Sequence, residues 1–122
     1  MKKNPKIFIL HISDNIKIIE KFTKGMKLED FLSDEKTNYA VIRALEIIGE
    51  AVKNIPKDFK DEHKDIKWKD IAGTRDKLIH DYFGVNNKIA FRIVKDDIPE
   101  LKEKIEKIIN ESKINRLDFY QK

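Results

Sequence analysis

The sequence predicts an all-α fold, a bundle of four or five helices, and three features carry that prediction. Apolar residues, mostly isoleucine, recur at helical spacing in most segments. No segment alternates apolar and polar residues with the period of two that a half-buried strand shows. Gly25, Pro56, Gly84 and Pro99 punctuate the chain at helical lengths. The 122 residues show no composition break and no internal repeat, so residues 1–122 read as a single helical domain able to bury a real core. Its bundle covers about 6–110, with a C-terminal tail at 113–122.

The elements follow in order. Ile9, Ile12, Ile16 and Ile19 form one stripe of a first helix over 6–23, with Lys17, Glu20 and Lys21 opposite and Gly25 beyond its end. His11 lies at the edge of that arc and reads as a border histidine. Met26 to Asp34 reads as a connector with a turn of helix, its Phe31 and Leu32 plugging one end of the core. A second helix runs from about Glu35 to Asn54 on the stripe Val41, Leu45, Ile48 and Val52. Ala44 and Ala51 beside that stripe allow close helix approach. Residues 55–66 are a polar loop, and the cluster Asp61, Glu62, His63, Asp65 matches no metal-ligand spacing.

A third helix is expected from near Lys67 to Phe83, ending at Gly84, and a short fourth from Asn87 to Val94 under an Asn86 cap. Asp96 or Asp97 would cap a fifth, with Pro99 in its first turn, where no amide hydrogen is needed. Its stripe is Leu101, Ile105 and Ile108 or Ile109. In the tail, Ile114, Leu117, Phe119 and Tyr120 suit docking on the bundle or on a partner.

Composition narrows the function classes. With no cysteine there is no disulfide framework and no thiolate or zinc–cysteine chemistry. The opening MKKNPKIFIL lacks the apolar run and cleavage site of a signal peptide, and nothing approaches the roughly 18 apolar residues of a membrane span. A cytoplasmic protein is expected. Twenty-six basic residues against 22 acidic ones give a net charge of +4, which permits RNA binding without requiring it.

The stretch from Trp68 to Val85 is the chemically pointed one. On one continuous helix Trp68, Ile71, Ala72, Leu78, Ile79 and Tyr82 would all fall within about 60° of Arg75, placing a guanidinium at the centre of an apolar face. Such a charge is costly unless paired or used, and Glu50 or Asp76 could pair with it. Glu50 reads equally well as a surface charge. His80 and Asp76 share the border of that face, one turn apart. Arg75 and His80 stand about 7.5 Å apart along the axis and diverge around it, an awkward pair for one small substrate. A second copy packed across a two-fold axis would bring both kinds of side chain into one cleft, so a homodimer is expected.

These residues form R-x-x-x-x-H-x-Y inside W-x-x-I-x-G-x-R-D-x-L-x-H-x-Y, with Leu45-Glu46-Ile47-Ile48-Gly49-Glu50-Ala51 upstream. The pattern resembles the signature of the HepT-like HEPN ribonuclease toxins, across most of the chain. Asp76 stands where many relatives carry asparagine, and Thr74 is a further variation. The resemblance implies an endoribonuclease that uses neither metal nor cofactor and leaves a 2′,3′-cyclic phosphate. By motif match Arg75 and His80 would be catalytic and Asp76 supporting. Histidine titrates near neutrality and can serve as base or acid, while arginine presents a planar fork to phosphate oxygens. The resemblance also implies a toxin–antitoxin pair, in which a nucleotidyltransferase of the MNT type neutralises the toxin and can transfer AMP to Tyr82. The substrate would be RNA, either tRNA or mRNA. An alternative from the same superfamily is a non-catalytic nucleotide- or partner-binding module beside a nucleotidyltransferase.

Overall fold

Helix α1 (Pro5–Thr23) starts where Asn4 Oδ1 accepts from the Lys6 amide at 3.0 Å, and proline occupies its first turn. The computed structural model describes residues 4–81, 84–115 and 117, with backbone alone at 79–81 and 84–85. Ile9, Ile12, Ile16 and Ile19 are all buried, as their spacing predicts. Full burial of an aliphatic side chain of this size stabilises the fold by about 1.5–3 kcal/mol. Beyond α1, Gly25 takes φ +76°, a left-handed turn suited to glycine. His11 is half-buried, edge-on to Phe8.

Helix α2 (Leu28–Ser33) inserts Phe31, which is fully buried and meets Phe91 at 5.2 Å between ring centroids. Leu32 does not share that role. It is 38% exposed, because on so short a helix the next residue turns away from the core. Helix α3 (Glu35–Asn54) begins at Asp34, whose carboxylate accepts from the Thr37 amide. Its stripe of Val41, Leu45, Ile48 and Val52 packs on α1, with Ala44 and Ala51 buried beside it.

Helix α4 (Lys57–Glu62) occupies part of the expected loop. Trp68 closes the segment: its buried indole Nε1 donates to the carbonyls of His63 (3.0 Å) and Lys60 (3.3 Å). The His63 ring stacks at 4.7 Å on Phe59. Among the described residues no group of three or more His, Cys, Asp or Glu side chains could hold a metal ion.

The expected third helix over 67–83 is not continuous. It is replaced by α5 (Trp68–Ala72), α6 (Thr74–Leu78) and a strand β1 (Ile79–Asp81) paired antiparallel with β2 (Gly84–Val85). The break falls at Gly73, whose amide donates back to Lys69 and Ile71 carbonyls and closes α5. Glycine costs about 1 kcal/mol relative to alanine inside a helix, so a stop is inexpensive there. Further on, Ile79 and His80 are poor helix formers, and the Asn86 amide donates to the Leu78 carbonyl at 2.8 Å. Tyr82 itself lies outside the described residues.

The expected fourth and fifth helices form one uninterrupted helical run. Helix α7 (Asn87–Arg92), capped by Asn86 Oδ1, runs into a π turn over Ile93–Asp97 and on into α8 (Ile98–Glu111). Asp97 has helical dihedrals and caps nothing. Pro99 accounts for the widening: it cannot donate to the Lys95 carbonyl, and its ring would collide with it in a regular helix. Leu101, Ile105 and Ile108 of α8 pack inward, and Lys102 reaches Glu20 of α1 at 2.9 Å. Lys113, at φ +50°, reverses the chain so that Ile114 covers the end of the core, while Leu117 is exposed. Phe119 and Tyr120 lie outside the described residues. None of the helices described is long and apolar enough to cross a membrane.

Candidate active site

The site is held by α3, α5 and α6. Gly49 on α3 sets the distance: a Cβ there would stand 3.3 Å from the Ile71 carbonyl oxygen and 3.6 Å from that of Ala72. Lacking one, α3 lets the backbone at the end of α5 lie directly against it. Gly73 follows at once, and α6 begins with Thr74, buried and donating its hydroxyl to the Asp70 carbonyl at 3.3 Å.

Arg75 is the next residue, and its position corrects the wheel. Because α5 and α6 are separate helices, the angular phase counted from Trp68 is lost at Gly73. Arg75 is not at the centre of an apolar face; its side chain is 64% exposed. Its partner is neither Glu50 nor Asp76 but Glu46 of α3, with Nε 3.7 Å from Oε2 and the carboxylate 29% exposed. At that distance the contact is a charge pairing rather than a hydrogen bond. Glu50, one turn further along α3, is exposed and offers its backbone carbonyl to Asn54. Glu46 and Glu50 lie on one side of α3, so which of them meets Arg75 depends on the register of α6 along α3, which the sequence does not encode locally.

Asp76 follows Arg75 on α6 and is exposed. His80 sits in β1, immediately beyond α6, instead of on a helical face one turn from Asp76. The side chains of His80 and Tyr82 lie outside the described residues. The backbone nonetheless puts the two motif residues on either side of a sharp change of structure: the arginine on α6, the histidine on strand β1, paired with β2. An exposed, loosely paired guanidinium presents its charge to solvent, where an anion can reach it.

A family match and several relatives bear on this arrangement. Residues 12–108 match the family described as ribonuclease HepT-like. The chain is 55% identical over 108 residues to the probable ribonuclease HepT of Thermococcus cleftensis, covering 88% of this chain and 98% of that protein. A candidate RNase of Caldanaerobacter subterraneus is 44% identical over 91% of this chain and 99% of its own length. One from Methanocaldococcus jannaschii is 47% identical, over 90% of this chain and 91% of its own. Comparison with solved structures gives no significant match. The family match spans the helical frame and the Arg75–His80 segment together, and the chain belongs to the HepT-like ribonuclease family.

Proposed function

We propose that this protein is a metal-independent endoribonuclease in which His80 and Arg75 carry cleavage and Asp76 supports them. The observation that supports it best is Arg75 itself: a largely exposed guanidinium, five residues before His80, held beside α3 by Glu46 at a distance that leaves it open to a phosphate. In the reaction the RNA 2′-hydroxyl loses its proton and its oxygen attacks the adjacent phosphorus. The bond to the 5′-oxygen breaks, and that oxygen takes up a proton. The products are a 2′,3′-cyclic phosphate and a 5′-hydroxyl. His80 serves one of the proton transfers, and Arg75 neutralises the charge that builds on the phosphorane. The test is incubation with tRNA and with mRNA in EDTA, beside His80→Ala. The parent should cleave, and the variant should stay folded and lose about 10²–10⁴ in rate. A folded His80→Ala protein that cleaves like the parent would remove His80 from the chemistry. A parent that binds RNA without cutting it would favour the binding-module reading.

The protein acts as the toxin of a toxin–antitoxin pair, as a homodimer, and its neutralising partner is a nucleotidyltransferase that transfers AMP to Tyr82. Negative charge two residues from His80 would compete with RNA phosphate for Arg75. Family membership supports this reading. Arg75 is largely exposed and paired with Glu46 within one protomer, so its charge alone demands no second copy. Mass spectrometry after incubation with the partner and ATP should show added AMP on the parent and none on Tyr82→Phe. AMP on another residue would rule Tyr82 out.

A further inference from the structure

Beside the proposed active site a cavity of about 210 Å³ opens between α3, the α5–α6 pair and the π turn. Its floor is apolar, formed by Leu45 and Ile48 of α3, Ile71 of α5, Ile93 and Leu101. Polar groups converge on its rim: Thr74, the lysines Lys67, Lys77 and Lys104, and the acids Asp70, Asp97 and Glu100. Two lining residues are chain neighbours of the Arg75–Glu46 pair, since Leu45 precedes Glu46 and Thr74 precedes Arg75. The backbone of both helices that hold the pair therefore also borders the cavity, with the neighbouring side chains about 100° apart around each helix.

Size restricts the occupant. A volume of about 210 Å³ lies below the 300–1,000 Å³ or so of sites that enclose a drug-sized ligand. It suits one planar ring system better than a whole nucleotide or a packed helix. The rim charges sort into two groups. Glu100 is engaged by Lys104 at 2.9 Å, which also donates to the Asp65 carbonyl; Lys104, and then Lys67, hold the Glu100 carboxyl below its ordinary range. Asp70, Asp97 and Lys77 are exposed and form no ion pair among the described residues. An apolar slot with two uncommitted carboxylates at its mouth matches a flat, apolar-faced ring whose edge carries N–H donors. Lys67 and Lys77 can meet the phosphates on either side of it.

We propose that this cavity takes one base of a single-stranded RNA next to the scissile phosphate, with Asp70 and Asp97 accepting from the exocyclic amino group that cytosine, adenine and guanine carry and that uracil lacks, its O4 being an acceptor. The inference rests on the ribonuclease reading and adds to it a base preference and the residues that set it. Stacking of the ring on the isoleucine and leucine floor supplies contact that all bases share; the carboxylates supply the difference.

Hexamers of 2′-O-methyl cytidine, adenosine or uridine test this without cleavage, because the methyl group blocks the attacking oxygen. Fluorescence anisotropy of labelled hexamers should show cytidine and adenosine binding at least about fivefold tighter than uridine, the low end of what one base-edge contact discriminates. The Asp70→Asn/Asp97→Asn protein keeps shape but turns acceptors into groups that can also donate, so uridine should gain and the gap should close. Leu45→Phe fills the slot and should bring cytidine down to the uridine level; its melting temperature is measured beside it. Equal binding of the three hexamers, or an unchanged ranking in the double asparagine protein, overturns the proposal. So does the absence of binding by any hexamer, which would point to an apolar protein side chain as the occupant. If the parent cleaves no RNA but the ranking holds and closes in the double asparagine protein, the ribonuclease reading fails and the base pocket stands.

Discussion

Helices α1 and α3 and the segment from Trp68 to Val85 are built on opposite terms. The first two run 19 and 20 residues, their apolar stripes are buried along nearly their whole length, and each begins at a side-chain cap. The second region uses 18 residues to make two single-turn helices and a two-stranded pairing, with a break at Gly73 and another after Leu78. The frame is continuous and regular; the region with the reactive residue types is neither. The difference is physically sensible. A long helix holds its face inward by repeating one pattern, whereas displaying Arg75 to solvent requires the pattern to be interrupted. Breaking at Gly73 rotates Arg75 out of the apolar face it would otherwise occupy, and Glu46 meets it at the surface.

That contrast predicts unequal responses to substitution, and the largest should come from the frame. Ile16 is essentially inaccessible on α1 and packs in the central cluster. Ile16→Ala removes buried methyl and methylene groups and leaves a cavity, at a cost of about 2–5 kcal/mol. Urea denaturation should show the midpoint falling with little change in slope. RNA cleavage by the fraction still folded should persist, because Ile16 belongs to the frame and not to the site. A cost below 1 kcal/mol would mean that the α1–α3 core tolerates voids, and the distinction between frame and site would lose its basis.

A smaller effect on stability is expected at Arg75, and it sharpens the contrast from the other side. A surface ion pair contributes about 0–1 kcal/mol, so Arg75→Ala should melt close to the parent while RNA cleavage collapses. Arg75→Lys retains charge without the planar fork and should cleave poorly as well. Had the guanidinium been buried and paired in a continuous helix, its removal would have left a carboxylate unpaired at a cost of about 3–5 kcal/mol. Melting temperature and cleavage rate on the same preparations decide between the two pictures: a large loss of stability in Arg75→Ala would restore the buried-charge reading.

How much of this the sequence discloses follows from the range of the forces involved. The bounds of α1 and α3, the Asn86 cap and the core isoleucines are readable because each depends on residues within one or two turns. The α5–α6 break depends on Gly73 together with the approach of α3 at Gly49, about 24 positions away in sequence, so a helical wheel drawn across 67–83 carries a false phase. The π turn is a mixed case. Pro99 is visible in the sequence as a helix start, yet the chain solves the same clash by widening the preceding turn and continuing. The Glu46 pairing is a miss, since the sequence offers Glu50 or Asp76 as partners and both Glu46 and Glu50 lie on one side of α3. Only the docking of α6 on α3 selects between them.

The smallest effect should appear where the frame is most local, at the Asp34 cap of α3. The Asp34 carboxylate accepts the Thr37 amide at 3.0 Å. Its pKa is lowered, first by that backbone hydrogen bond, then by one from the Thr37 hydroxyl, with the Lys36 charge adding to both. A carboxyl whose folded pKa lies below its unfolded value near 3.9 favours the folded state at every pH where it is ionised in both forms. That contribution is fully present above about pH 4 and fades as pH falls through the folded value. The melting temperature of Asp34→Ala should therefore lie below that of the parent at pH 7, and the gap should narrow towards pH 3, all other carboxyls titrating alike in both proteins. Asp34→Asn keeps a capping oxygen without the charge, so at pH 7 it should fall between the parent and Asp34→Ala and show no comparable narrowing against Asp34→Ala. A parent–alanine gap constant from pH 7 to pH 3 would show that the capping geometry alone, and not the charge on Asp34, holds the start of α3.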